Sequence, residues 1–305
     1  MSIRRFACML ALAAAAGAQP ASSAEVAILK TSEVAAWRAT LDALRRAAPT
    51  HTFTEYDLRG DRAEADRVVA SLKGRSGAIV VGMGPLAAQA VREGAPELPL
   101  IFCMVQDPGS LGLLNAPNTF GVSFTIPVKN QMAAFRMVNP RGVRIGVIYS
   151  AEHGGRLVQE AVKAAPVVRL LLVERPVQSA REIPEALRTL LKGSEAVDAL
   201  WIPPDPVLLN EETRRFLLSE TLKAGRPVYS FSPALVGEGA LVSNGPDMAS
   251  VGAQLAELVG RAASGEKGKG ELMIPRAELV INRKIAEKLK IDVPTDALKA
   301  ASRVF

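Results

Sequence analysis

With 305 residues, 49% of them hydrophobic and 22% charged, the chain is large enough to bury two cores and too apolar to remain unfolded. Its 37 lysines and arginines exceed its 31 acidic residues by a formal +6, yet they are scattered instead of gathered with aromatics on one stripe, which argues against nucleic acid as a partner. Two histidines without metal-type neighbours at i+3 or i+4, and no G-x-S-x-G elbow, argue against a metal centre and a serine-hydrolase site.

The first 24 residues have the three parts of a secretory leader. Arg4 and Arg5 give a positive start, Phe6 to Ala16 is apolar but too short to span a bilayer, and Ser22-Ser23-Ala24 offers small residues for cleavage, with Ala18 as a second candidate. Cys8 has no lipobox before it. A soluble, periplasmic product is therefore expected, with residues 1–24 as its signal peptide. Cys103 is then the only cysteine left, so no intramolecular disulfide forms, and its apolar setting predicts a buried, inert thiol.

Beyond the leader, short apolar or β-branched runs alternate with amphipathic stretches. The runs are Glu25 to Lys30, Thr52 to Asp57, Ala78 to Gly82, Leu100 to Val105, Arg144 to Tyr149, Val167 to Val173, Ala199 to Ile202 and Val228 to Phe231. Asp61 with Glu64 and Ser179 with Glu182 form capping-box patterns. Pro85 and Pro127 suit first helical turns, while Gly74, Gly94, Gly193 and Gly225 suit helix ends. Strands buried on both faces and alternating with helices predict an α/β architecture of parallel sheets.

Two blocks separate. The first runs from Glu25 to about Phe124, the stretch Pro127 to Val138 reads as a bridging helix, and Arg144-Ile145-Gly146-Val147-Ile148-Tyr149 opens a second block like a fresh first strand. Gly239 to Ser243 reads as a further strand with a helix to about Ala263 after it, Ser264 to Gly270 as a connection, and Glu278 to Ile281 as a last strand.

Gly82-Met83-Gly84-Pro85-Leu86-Ala87 matches the G-x-G-x-x-A form of a dinucleotide fingerprint. The match follows the third strand instead of the first, and Pro85 removes an N–H that would face pyrophosphate. A tight strand-to-helix turn whose N–H groups favour an anionic ligand group is the better reading, and no cofactor is expected.

Ligands of open parallel sheets bind beyond the carboxyl ends of the strands. Those ends carry Thr31 and Ser32, Gly84 and Pro85, Gln106 and Asp107, Tyr149 and Ser150, Pro204 and Asp205, and Ser230, Phe231 and Ser232. Lys30 is the one cation beside them. Two carboxylates from opposite blocks and a row of hydroxyl and N–H donors fit a ligand bearing both an ammonium and a carboxylate. The same positions also suit structural work, since Asp107 and Asp205 each precede a proline and Ser32 suits a helix N-cap. Trp37, sharing a helix face with Val34, Leu41 and Leu44, and Trp201, within a strand, read as core.

Several segments together resemble a known family. They are Ala78-Ile79-Val80-Val81-Gly82, Pro99-Leu100-Ile101-Phe102 leading to Asp107-Pro108, Gly121-Val122-Ser123, the run Arg144 to Tyr149, Pro203-Pro204-Asp205, Gly239-Ala240-Leu241, and Ile281-Asn282 with Ile291-Asp292-Val293-Pro294. In this order they are similar to the ABC-transporter substrate-binding proteins that include tryptophan and tyrosine uptake components. The resemblance implies a type I periplasmic-binding-protein fold: two Rossmann-like α/β lobes, three crossovers and a ligand cleft, with Ser123 joining the site.

It also divides the chain, with residues 25–124 plus 239–263 in the first lobe and 125–238 plus 264–305 in the second. Hinges are expected near Phe124 to Pro127, Ser232 to Glu238 and Ser264 to Gly270. The implied function is non-enzymatic capture of a small polar solute, an amino acid or related zwitterion, for a membrane permease. Delivery of the ligand-bound shape to a sensor receptor or kinase is the alternative. No partner subunit is needed for folding, so a monomer is expected.

Overall fold

The computed structural model describes residues 23–193 and 196–305, so the expected leader, apart from Ser23 and Ala24, lies outside the described residues. The chain begins with β1 (Glu25–Lys30), α1 (Arg38–Ala47), β2 (Thr52–Asp57), α2 (Arg62–Leu72), β3 (Ile79–Met83), α3 (Pro85–Gly94), β4 (Leu100–Cys103) and β5 (Thr119–Val122). It continues with α4 (Val128–Val138), β6 (Arg144–Ser150), α5 (Ala151–Ala164), β7 (Leu171–Val177), α6 (Ile183–Leu191), β8 (Ala199–Ile202), α7 (Pro206–Leu209), α8 (Glu211–Lys223), β9 (Val228–Ser230) and α9 (Pro233–Glu238). The last elements are β10 (Val242–Pro246), α10 (Met248–Ala263), β11 (Lys269–Met273), β12 (Ala277–Ile281), α11 (Arg283–Lys288), α12 (Thr295–Ala300) and β13 (Arg303–Val304).

Two sheets result, in the order β11-β5-β4-β3-β1-β2 and β13-β12-β10-β9-β8-β6-β7. Every pairing in the first is parallel, and in the second only β10 with β12 is antiparallel. The alternation of side chains along each strand splits the interior into four layers. Val26 and Ile28 pack with α1 and α10 on one face of the first sheet, and Ala27 and Leu29 with α2 and α3 on the other. In the second lobe Phe135, Trp201 and Tyr229 fill the layer beneath α4 and α5, and Leu200, Ile202 and Val228 the layer beneath α6 and α8. The two-lobed, parallel α/β architecture is as the sequence implied, and Trp201 is fully buried.

Element boundaries depart from expectation where backbone geometry intervenes. The strand expected at Val167 to Val173 starts instead at Leu171, because Pro166 opens a 3-10 turn that closes on the left-handed Arg169 (φ 59°). β4 stops at Cys103 because Met104 takes φ 58°.

The division between the lobes differs more. The strand anticipated at Gly239 to Ser243 is β10, and it belongs to the second sheet, where Ser243 pairs with Ser230 of β9 and with Val280 of β12. Only α10 returns to the first lobe, and β11, expected in the second, pairs with β5 in the first. The stretch Ser232 to Glu238 is the capped helix α9, and Ser264 to Gly270 is the turn between α10 and β11 with the first two residues of β11, so neither is a passage between lobes.

The three crossovers are therefore residues 123–127, residue 247 and residues 274–276, all at one end of each sheet. They are tied to one another or to the neighbouring elements. Ser123 donates its N–H to Met273 O at 2.8 Å, Asp247 donates to Arg276 O at 2.8 Å, and Gln254 Nε2 donates to Ile274 O at 3.0 Å. Asp247 also caps α10 by accepting from Ala249 N–H at 2.9 Å. Because the crossovers leave from the carboxyl ends of β5, β10 and β11, those ends of the two sheets face each other.

Candidate functional site

On the first lobe, β1 and β3 end in an interlocked turn. Thr31 Oγ1 accepts from Ala87 N–H at 3.2 Å, closing the first turn of α3, and Gly84 holds φ 91° with a Cβ position only 2.7 Å from that hydroxyl. Glycine alone suits this combination of dihedral and contact. Pro85 follows as the first helical residue, and Ser32 is half-buried beside Thr31. The fingerprint-like run is thus a strand-to-helix turn whose first helical N–H groups include one taken up by the Thr31 hydroxyl.

Lys30 is likewise committed: its buried ammonium pairs with Glu33 and, at 2.8 Å, with Glu55. Burial opposes its charge, but the two carboxylates prevail and hold it above the usual lysine range.

β4 ends differently. The left-handed, buried Met104 turns the chain so that Gln106 and Asp107 emerge exposed. Asp107 Oδ1 accepts from Ser110 N–H at 3.3 Å, and Ser110 Oγ donates to the Asp107 carbonyl at 2.9 Å, which fixes the loop.

On the second lobe the expected ligand groups turn toward each other. Asp205 is fully buried and accepts from Ser150 N–H at 2.7 Å, Ser150 Oγ at 2.9 Å and Val207 N–H at 3.0 Å. Ser150 Oγ in turn accepts from His153 N–H at 3.3 Å as the N-cap of α5. The polar atoms of Asp205 and Ser150, both named as candidate ligand groups, tie the end of β6 to the start of α7 in this structure.

Gly154 is required by this arrangement, since a Cβ there would lie 2.9 Å from both Asp205 Oδ2 and Tyr149 Cβ. Tyr149 is also redirected: its hydroxyl donates to Glu174 at 3.0 Å, over the second-lobe core, and burial together with that carboxylate pushes the phenol up. Phe231 packs on the layer beneath α8 and α9, Ser232 caps α9 by accepting from Ala234 N–H at 3.3 Å, and Ser123 folds back on Thr125 N–H at 3.2 Å.

Between the lobes lies a cavity of about 430 Å³. Gln106, Asp107 and Ser110 line it from the first lobe, Thr125 from a crossover, and the α5 face of Glu152, His153, Arg156, Leu157 and Glu160, with Pro204, from the second. Two contacts cross it: Gln106 Nε2 donates to Pro204 O, and Arg156 Nη2 stands 3.4 Å from Asp107 Oδ1. Of the strand-end residues named from sequence, Gln106, Asp107 and Pro204 are in this lining. The α5 residues recur at helical spacing and were legible as a polar face, but nothing local marks that face as turned to the other lobe.

Among the described residues no group of three or more His, Cys, Asp or Glu side chains is placed to hold a metal ion, and no helix is long and apolar enough to cross a membrane. Cys103 is fully buried, and that burial pushes its thiol up.

Residues 46–305 match the family model described as ABC transporter substrate binding protein. Among solved structures, the chain is similar to an ABC domain in complex with L-Trp from Streptococcus pneumonia, with 23% identity, coverage of 93% of this chain and 100% of the other, and a TM-score of 0.72. A ligand-free, open substrate binding protein with adhesive properties from Clostridium difficile superposes with a TM-score of 0.78 at 18% identity, covering 92% and 99% of the two chains. A conserved domain protein from Vibrio cholerae gives 0.70 at 24% identity, covering 93% and 100%. No curated protein matches the chain.

Proposed function

Since the chain belongs to the ABC transporter substrate binding proteins, we propose that it captures an amino acid or related small zwitterion outside the cytoplasm and delivers it to the permease of an uptake system. The observation that carries this reading is the cavity of about 430 Å³ walled by both lobes and spanned by Gln106–Pro204 and Asp107–Arg156. A solute held there touches both walls together only when the lobes are shut, so binding favours closure through contacts absent from the open form.

The bond from Asp247 N–H to Arg276 O couples two of the three crossovers, and Ser123 ties the third to the end of β11, which suits a hinge whose parts move together. The lining mixes carboxylate, guanidinium, amide and hydroxyl groups, which matches a small solute carrying both signs of charge. The L-Trp held by the Streptococcus pneumonia protein supports the amino-acid class. Within this reading Thr31, Ser32, Gly84 and Pro85 belong to the first-lobe strand ends and Phe231 and Ser232 to a second-lobe one, with Ser123 in the first crossover, all outside the lining of this cavity.

Thermal-shift screening of the ligand-stripped protein lacking residues 1–24 against amino acids, peptides, nucleosides, sugars and small carboxylates tests it. A rise in Tm confined to amino acids is expected. A flat response across every class would overturn solute capture, and a rise with sugars or nucleosides alone would overturn the ligand class.

A further inference from the structure

We propose that Asp107 and Arg156 are the two halves of a zwitterion site: the carboxylate of the bound solute displaces Asp107 from Arg156 while the ammonium of the solute takes Asp107. The inference rests on the solute-capture reading above and assigns the residues that select the ligand.

The pair spans the cavity from opposite lobes, yet its contacts are loose. Arg156 Nη2 lies 3.4 Å from Asp107 Oδ1 and Nη1 lies 3.6 Å from Glu160 Oε1, both longer than the roughly 2.7–2.9 Å of a charge-assisted hydrogen bond. The Arg156 side chain is 65% exposed and that of Asp107 49%, so solvent weakens their attraction and a solute with matching charges can replace it.

Both groups nevertheless stand on rigid supports. Asp107 is held by the Ser110 turn behind the left-handed Met104, and Arg156 sits on the second turn of a helix whose start is fixed through Ser150 to buried Asp205. A group held from behind but loosely paired in front is suited to exchange partners.

The surrounding charge sets the selectivity. Glu160 lies beside Arg156, and Glu152 lies 3.8 Å from His153, so the wall around the guanidinium is acidic. A simple carboxylate entering there meets repulsion that a zwitterion offsets with its own ammonium. Bare acids and bare amines each satisfy only one of the two groups, and only a molecule bearing both joins the lobes through two ion pairs.

Calorimetric titration of the wild type, Arg156→Gln and Asp107→Asn with the twenty L-amino acids, and then with the amide and the deaminated acid of the tightest, tests the assignment. Arg156→Gln is expected to weaken the amino acid about tenfold or more while leaving the amide unchanged, and Asp107→Asn to weaken the amino acid while leaving the deaminated acid unchanged. Equal losses for all three compounds, or no loss for any, would overturn the site while leaving solute capture intact. If the wild type binds no amino acid but binds another solute class, the zwitterion site falls and capture stands; if it binds nothing, both fall. Unchanged melting of the variants without ligand separates lost contacts from lost folding.

Discussion

The buried carboxylate of Asp205 accepts both the N–H and the hydroxyl of Ser150, at 2.7 and 2.9 Å, and so joins the carboxyl ends of β6 and β8 beneath the cavity wall. Removing it leaves the Ser150 and Val207 donors buried without their acceptor. Asp205→Ala is expected to lower unfolding stability by about 2–4 kcal/mol, and Asp205→Asn by less because one oxygen remains. Urea denaturation measures both. A loss below experimental error in the alanine variant would show that these bonds are not a structural anchor.

Neighbouring glycines on α5 should respond in opposite directions. A Cβ at Gly154 meets Asp205 and Tyr149 at 2.9 Å, whereas one at Gly155 has nothing within 4 Å. Gly154→Ala is expected to destabilise by about 1–3 kcal/mol through overpacking. Gly155→Ala should stabilise by roughly 0.5–1 kcal/mol through helix propensity. The sign difference in thermal melts is the test.

Asp247 caps α10 through Ala249 and Ser250, donates its own N–H to Arg276, and faces the Arg276 guanidinium at 3.5 Å. Asp247→Ala should therefore lose about 1–2 kcal/mol, the value of a good N-cap. Hydrogen exchange is expected to rise at Ala249 and Ser250 ahead of the rest of α10. Uniform exchange along the helix would contradict a capping role.

Lys30 and Glu55 give a pH signature. Burial alone would raise the Glu55 carboxyl, but Lys30 and Arg45 outweigh it and hold it below the usual range, while Lys30 is held above its own. A depressed folded pKa gives stability present above the unfolded value of about 4.3 and lost as pH falls through the folded value. A raised lysine gives stability present below about 10.4 and lost as pH rises through its folded value. The stability difference between wild type and Glu55→Gln should thus form a plateau from about pH 5 to 10 and shrink on both sides. A difference independent of pH would refute the pairing.

The alternating architecture was legible because strands covered on both faces read as unbroken apolar runs such as Ile145 to Tyr149. β5 carries little signal because Thr119–Val122 is four residues with a glycine inside, and β11 because an edge strand reading Lys-Gly-Glu-Leu-Met looks like a loop. The hinge positions differ from expectation for a related reason: glycine near Ser264 ends a helix instead of loosening a crossover.

At strand ends, the same rule names Asp107, which lines the cavity, and Asp205 and Ser150, which bond to each other across a distance in sequence that no local pattern reveals. Arg156 carries no local signal, because whether a helix face meets solvent or another lobe is decided by the crossovers, not by the helix itself.

The interleaving of the lobes sets an order on synthesis. The first sheet is completed by β11 and roofed by α10, both made after β6 to β10 of the second lobe. A nascent chain that has emitted everything through β5 still exposes Leu41 and Leu44, the partners of Val251, Leu255 and Leu258, and leaves the edge of β5 unpaired. The first lobe thus waits, half-roofed and open to wrong pairing, until nearly the whole polypeptide has emerged; termination before Lys269 would leave both sheets unfinished, whereas termination after Met273 would cost only the second.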